Sequence, residues 1–136
     1  MNTECYYRVS VKGIAIDEQG RLLLTREDNG KWELLGGGLE HGEDPIAALH
    51  REIHEETGLT VTAVGERPRY FITVPRWGHD TYVANVVYHI TLQNLDFVPS
   101  DECQELGFFS LEEAAKLDLF PNVERLLEVM QAEKAR

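Results

Sequence analysis

An α/β fold, in which helices pack on a mixed β-sheet, is the class that this 136-residue sequence predicts. Three observations carry that reading. Short runs of β-branched and aromatic residues stand before and after one long segment of helical period, turn residues punctuate the runs, and a second helical stripe closes the sequence. Residues 5–16 alternate and then run apolar through Tyr7, Val9, Val11, Ile14 and Ile16, a strand ending at the turn Asp17-Glu18-Gln19-Gly20. Leu22-Leu23-Leu24-Thr25 reads as the returning strand of a hairpin. Trp32-Glu33-Leu34-Leu35 reads as a short strand that delivers the chain to Gly36-Gly37-Gly38. The central helix starts at Asp44-Pro45 and ends at Gly58. Val61 to Val64, Tyr70 to Val74 and Thr81 to Leu92 are further strands, the last two separated by the loop Pro75-Arg76-Trp77-Gly78-His79. A short strand near Leu106–Phe109 precedes Ser110-Leu111-Glu112-Glu113, a capping-box arrangement that starts a helix. Pro121 starts the last one, with the apolar stripe Val123, Leu126, Leu127 and Met130.

The central helix carries the chemistry. Asp44 suits the N-cap, and Pro45 is tolerated at the first helical position because its missing N–H has no partner there anyway. Ile46, Leu49, Ile53 and Thr57 recur at helical spacing and are expected to face the core. Glu52, Glu55 and Glu56 stand at i, i+3 and i+4, so their carboxylates are expected to share the opposite, polar side. An arbitrary glutamate-rich face is usually just solvated. Here, however, the helix holds no lysine, and Arg51, His50 and His54 are its only counter-groups. Like charges one turn apart repel by about 0.2–0.5 kcal/mol. A hard cation such as Mg²⁺, which prefers carboxylate, carbonyl and water oxygens, resolves that repulsion. The glycine run lets the backbone approach such an ion and lend it a carbonyl.

From Gly37 to Leu59 the fixed points are Gly37, Glu43, Arg51-Glu52-Ile53, Glu55-Glu56 and Gly58-Leu59. Meeting all of these by chance has odds on the order of one in 10⁸ per start position. The pattern resembles the signature of the Nudix hydrolases, G-x5-E-x7-R-E-U-x-E-E-x-G-U with U aliphatic, at every fixed position. The resemblance implies an α/β/α sandwich, a mixed sheet packed between helices, covering residues 1–136 as a single domain. It implies hydrolysis of a phosphoanhydride in a nucleoside diphosphate linked to another moiety. Glutamates matching Glu55 and Glu56 commonly bind the metal in that family, helped by a carbonyl matching Gly36 or Gly37. The one matching Glu52 is a ligand or the general base. Arg51 and Glu43 orient these carboxylates, and the cofactor is Mg²⁺ with Mn²⁺ as the alternative ion. A further carboxylate commonly comes from a loop before the penultimate strand, where Glu102 is the first choice and Glu105 the second. Many relatives have proline where this chain has Leu35, a change expected to alter stability and loop rigidity rather than chemistry.

Composition narrows the partners. With 13 Lys+Arg against 24 Asp+Glu, the net charge of −11 argues against contacts to a nucleic-acid polymer and favours a small phosphorylated nucleotide, whose charge a bound metal offsets. No N-terminal apolar run is present, so neither a signal peptide nor a membrane span is expected, and the location is expected to be cytoplasmic. Cys5 and Cys103 are expected to be reduced thiols. Arg69 and Arg76 are candidates to hold phosphates and Trp77 to stack on a base, while His79 and His89 are expected to be structural. The substrate class stays open between a nucleoside triphosphate and a nucleotide-sugar such as ADP-ribose; Pro75 lies where relatives that hydrolyse ADP-ribose often carry proline. A nucleotide sensor of the same fold that does not hydrolyse its ligand is the alternative. Oligomeric state is not readable, and a homodimer is compatible with the sequence.

Overall fold

The computed structural model describes residues 5–136. In chain order the elements are β1 (Tyr7–Ile14), β2 (Leu22–Arg26), β3 (Trp32–Glu33), β4 (Leu35–Gly38), α1 (Pro45–Thr57), β5 (Val61–Val64), β6 (Tyr70–Pro75), β7 (Tyr82–Leu92), β8 (Glu105–Phe109), α2 (Leu111–Ala114) and α3 (Pro121–Lys134). β1 and β7 form the centre of the larger sheet and run parallel from Tyr7↔Tyr82 to Ile14↔His89. β4 adds antiparallel to β1, while β5 and β6 both add antiparallel to β7 at different points along its length. One parallel pair among antiparallel ones makes the sheet mixed, as the sequence predicts.

The period of two along β1 divides the core into two layers. Val11 joins Leu35, Leu49, Ile53 and Leu59 under α1. Ile14 joins Leu34, Val87, Val123 and Leu126 under α3. Helices therefore cover both faces, giving the α/β/α sandwich. The caps form as expected: the Asp44 carboxylate accepts from the N–H groups of Ile46 and Ala47, and Gly58 closes α1 in the left-handed conformation at φ 73°. Ser110 and Glu113 form the reciprocal capping box.

Two expectations are corrected. Leu22–Thr25 is not the hairpin partner of the first strand, which it meets only at the isolated bridge Ile16↔Leu22. Both edges of β1 are taken by β4 and β7, so β2 pairs with β3 and β8 in a separate three-stranded sheet. Its leucines face opposite ways, Leu22 and Leu24 into one core layer and Leu23 into the other. The run Trp32-Glu33-Leu34-Leu35 is likewise not one strand: it leaves the small sheet after Glu33 and enters the large one at Leu35. Leu35 itself is fully buried, so the residue standing where relatives have proline adds apolar packing.

Gly36 is where this crossing is tightest. Its φ is 121°, and a Cβ there would lie 2.1 Å from the Val11 carbonyl oxygen, a backbone atom that cannot swing aside. Gly36→Ala is therefore expected to lower stability by more than about 2 kcal/mol. Urea denaturation followed by circular dichroism checks this, and a loss below about half that figure would contradict the packing described.

Candidate active site

The glutamates of α1 do not all lie on one solvated face. Glu55 is exposed and Glu52 half-buried, but Glu56 is buried at 7 % exposure. All three still line one groove, as their spacing predicts, but Glu56 is not solvated there. The reason is that β4 passes close to the helix: one Glu56 oxygen accepts the Gly36 N–H at 2.8 Å. Burial pushes the Glu56 carboxyl well above the usual range, although Lys12 and the Gly36 N–H pull it back. Lys12, from β1, also donates to the Gly36 carbonyl at 3.3 Å and lies 3.8 Å from a Glu33 oxygen. The sequence reading looked for counter-charges only within the helix and missed this one, which was marked by a lysine among the apolar residues of β1.

Arg51 organises the remaining carboxylates. Its Nε and Nη2 grip Glu43 as a fork at 2.7 and 2.9 Å, and its Nη1 reaches Glu55 at 3.0 Å and Glu52 at 3.2 Å. The Arg51 hydrogen bonds hold the Glu43 carboxyl below its ordinary value. Burial raises that of Glu52 despite Arg51. Glu52 lies directly over Gly37, where a Cβ would come within 2.4 Å of its Oε2. Glycine at this position is what allows a carboxylate to sit against the backbone.

The opposite wall is the loop before β8. It is tied to the end of α1 by Val98 N–H to the Thr57 carbonyl at 2.7 Å and by Ser100 Oγ to the Glu56 carbonyl at 2.7 Å. That docking brings Glu102 to the rim of a groove of about 470 Å³ shared with Glu40, Arg51, Glu52, Glu55 and Glu56. Glu105 instead pairs with Arg26 at 3.0 Å. Among the described residues no three acidic, His or Cys side chains close into a compact cage. The groove is open, all its candidate ligands are oxygens, and the Gly37 cradle admits Glu52. This donor chemistry fits a hard divalent cation.

A second concavity, about 270 Å³, opens on the α3 side of the large sheet just beyond the start of that helix. Ser10, Lys12 and Asn85 supply polar groups from the sheet, and Asn122 supplies one from α3. Trp77, Phe120 and Arg76 form its walls. Trp77 packs edge-on to Phe120 with ring centroids 6.5 Å apart, and the Lys31 ammonium lies 4.5 Å from its ring centroid. His79 stands on this wall, whereas His89 is exposed on β7. Arg69 does not join Arg76: it sits at the other end of β6, where Glu133 of α3 pairs with it and with Tyr70. β6, the strand the sequence already indicated between them, separates the two arginines. Glu33, Asn85 and Asn122 were missed in the sequence reading; the available signal was Asn85, a polar residue in the otherwise apolar first half of β7.

The sequence model of the NUDIX domain matches residues 6–130. The chain belongs to the NUDIX domain family. It is 52 % identical over 56 residues to a MutT-like protein of Streptomyces ambofaciens, a match covering 40 % of this chain and 36 % of that protein. It is 35 % identical over 99 residues to a nucleoside triphosphatase NudI of an Enterobacter species, covering 66 % and 69 % respectively. The match to an RNA pyrophosphohydrolase of Saccharophagus degradans is 46 % over 55 residues, 39 % of this chain and 32 % of the relative. The first and third of these relatives are thus matched over about a third of their length. Among solved structures, the MutT protein of Methanosarcina mazei Go1 superposes with a TM-score of 0.80 at 26 % identity, covering 99 % of this chain and 100 % of that one. Nudix proteins generally use divalent metal ions. Cys5 and Cys103 are both free, and no helix of the described residues is long and apolar enough to cross a membrane.

Glu27, just after β2, is half-buried, and burial together with the nearby Glu33 raises its carboxyl to about 7. The sign follows from proton binding. Between the ordinary value of 4.5 and about 7 the folded Nudix domain holds this proton and the unfolded chain does not, so stability falls as pH rises through that window. In the presence of a chelator, Glu27→Gln is expected to flatten this fall and to raise stability at pH above the window. Thermal denaturation from acid to mildly alkaline pH tests it, with an unchanged slope counting against the assignment.

Proposed function

We propose that this chain is a Mg²⁺-dependent Nudix diphosphatase of the cytoplasm that acts on a small nucleotide, a nucleoside triphosphate in the first place. The observation that carries the reading is the coupling of two concavities through four residues. Lys12 reaches both Glu33 and the Gly36 carbonyl, and the Gly36 N–H reaches Glu56. A nucleotide spans such a pair, with its base in the cleft beside Trp77 and its phosphates toward the glutamates. Likeness to a nucleoside triphosphatase over two-thirds of the chain favours the triphosphate over the nucleotide-sugar.

Glu52, Glu55 and Glu56, with the Gly37 carbonyl, are the groups that would hold the ion. When bound, it offsets phosphate charge and polarises a phosphoryl oxygen toward attack by water. Arg51 and Glu43 keep the glutamates in place by the fork described above. Lys12 and Arg76 offer positive charge to the phosphate chain. Glu102, which lines the facing wall, would take a proton from the attacking water as the bond from phosphorus to the bridging oxygen breaks and the leaving phosphate departs with that oxygen.

The test is an activity screen over nucleoside triphosphates, nucleotide-sugars, dinucleotide polyphosphates and coenzymes with Mg²⁺ or Mn²⁺. Glu56→Gln keeps an oxygen for the Gly36 N–H, so the fold is expected to stand while turnover falls by about 10²-fold or more. Unchanged turnover in both Glu56→Gln and Glu52→Gln would remove the metal assignment. Metal affinity, read by calorimetry, is expected to rise with pH through the range where Glu52 and Glu56 lose their protons, because ion and proton compete for the same oxygens. A pH-independent affinity would place the ion elsewhere.

A further inference from the structure

One buried polar atom in the cleft has no partner in the protein. The Asn122 amide nitrogen donates to Glu33 Oε1 at 2.7 Å and to Asn85 Oδ1 at 3.3 Å. Glu33 Oε1 also accepts the Leu34 N–H at 2.8 Å. This chain of bonds fixes the Asn85 amide, because flipping it would set one amide nitrogen against another. The Asn85 nitrogen is left as a buried donor without an acceptor, one of two such side-chain atoms among the described residues. Asn85 is 1 % exposed and sits on the cleft floor, on the sheet face shared with Lys12. An unsatisfied buried N–H is destabilising, and a ligand acceptor removes that cost.

We propose that Asn85 reads the base of the bound nucleotide by donating to an exocyclic carbonyl oxygen, so that the site selects guanine, hypoxanthine or a pyrimidine over adenine. The donor is recessed below the cleft surface. A carbonyl oxygen projects about 1.2 Å from the carbon that carries it and can reach such a donor, whereas a ring nitrogen is flush with the ring and flanked by neighbouring substituents. Adenine has no carbonyl. Its exocyclic amine would set donor against donor and leave Asn85 unpaired, and sites built to hydrogen-bond a substrate group discriminate strongly against analogues without it. Glu33 and Asn122 act as positioning residues: they hold the amide in the one orientation that presents N–H to the cleft.

This inference rests on the cleft being the nucleotide site, and its test separates the two claims. Inosine 5′-monophosphate and AMP differ only in the exocyclic oxygen or amine and the protonation of the adjacent ring nitrogen. Each is titrated without metal into wild-type protein, Asn85→Asp and Asn85→Ala, with binding followed by NMR shifts. Hydrolysis of the two triphosphates with Mg²⁺ runs in parallel. Wild type is expected to bind the inosine nucleotide at least tenfold more tightly than AMP, and the preference is expected to vanish in both variants while their spectra remain those of a folded domain. Asn85→Ala introduces no charge beside Glu33, so it carries the test if the aspartate variant does not fold. Equal affinity of wild type for both nucleotides, absence of binding by either, or a preference surviving in both variants overturns the inference. Selective binding without hydrolysis of either triphosphate upholds the role of Asn85 and removes the proposed hydrolytic function.

Discussion

Burial of the Glu56 carboxylate against β4 is the constraint on which the site depends. A lone ion in an apolar interior costs several kcal/mol, and removal of its partners leaves that cost uncompensated. Glu56 has two compensations, the Gly36 N–H at 2.8 Å and the positive charge of Lys12 nearby. Both require β4 to lie close to β1 and α1 at once, which in turn requires glycine at position 36, where a Cβ would collide with the backbone of β1. The fold and the carboxylate groove are therefore one arrangement.

The same arrangement sets the relation between the two halves of the site. Lys12 lies on the β1 face that packs toward α3, while Val11 lies on the face toward α1. Its ammonium nevertheless reaches the Gly36 carbonyl, because β4 is the strand beside β1. The side chain thus links a cleft on one side of the sheet to acids carried by the helix on the other. Glu33 completes the link by holding Asn122, so the start of α3 is tied to the end of β3 by a 2.7 Å hydrogen bond. Docking of the loop before β8 onto the end of α1 then closes the groove from the other wall.

Most of the local structure was legible in the sequence because it obeys local rules. Asp44, Pro45 and Gly58 delimit α1, Ser110 and Glu113 cap α2, and alternation marks β1, each through contacts within a few residues. The motif from Gly37 to Leu59 named the carboxylates for the same reason: six of its fixed positions fall on one helix and its C-cap. The pairing of β2 was misread because a turn of four residues suggests a hairpin, yet pairing depends on which edges remain free once β4 and β7 have joined β1.

What the sequence determined by itself is the fold class, the helix that carries the acids and, through the spacing of the complete motif, the family. These follow from periodicity and spacing, which local geometry converts directly into faces and neighbours. Only the tertiary structure decided that Glu56 is buried rather than solvated, that Lys12 is its counter-charge, that Glu102 rather than Glu105 reaches the groove, and that Asn85 is left with a free donor beside Asn122. Each of those depends on how close two distant segments come. A carboxylate or an amide looks the same in sequence whether water or another strand lies beside it; its environment is fixed only when the sheet and its two helical layers close around it.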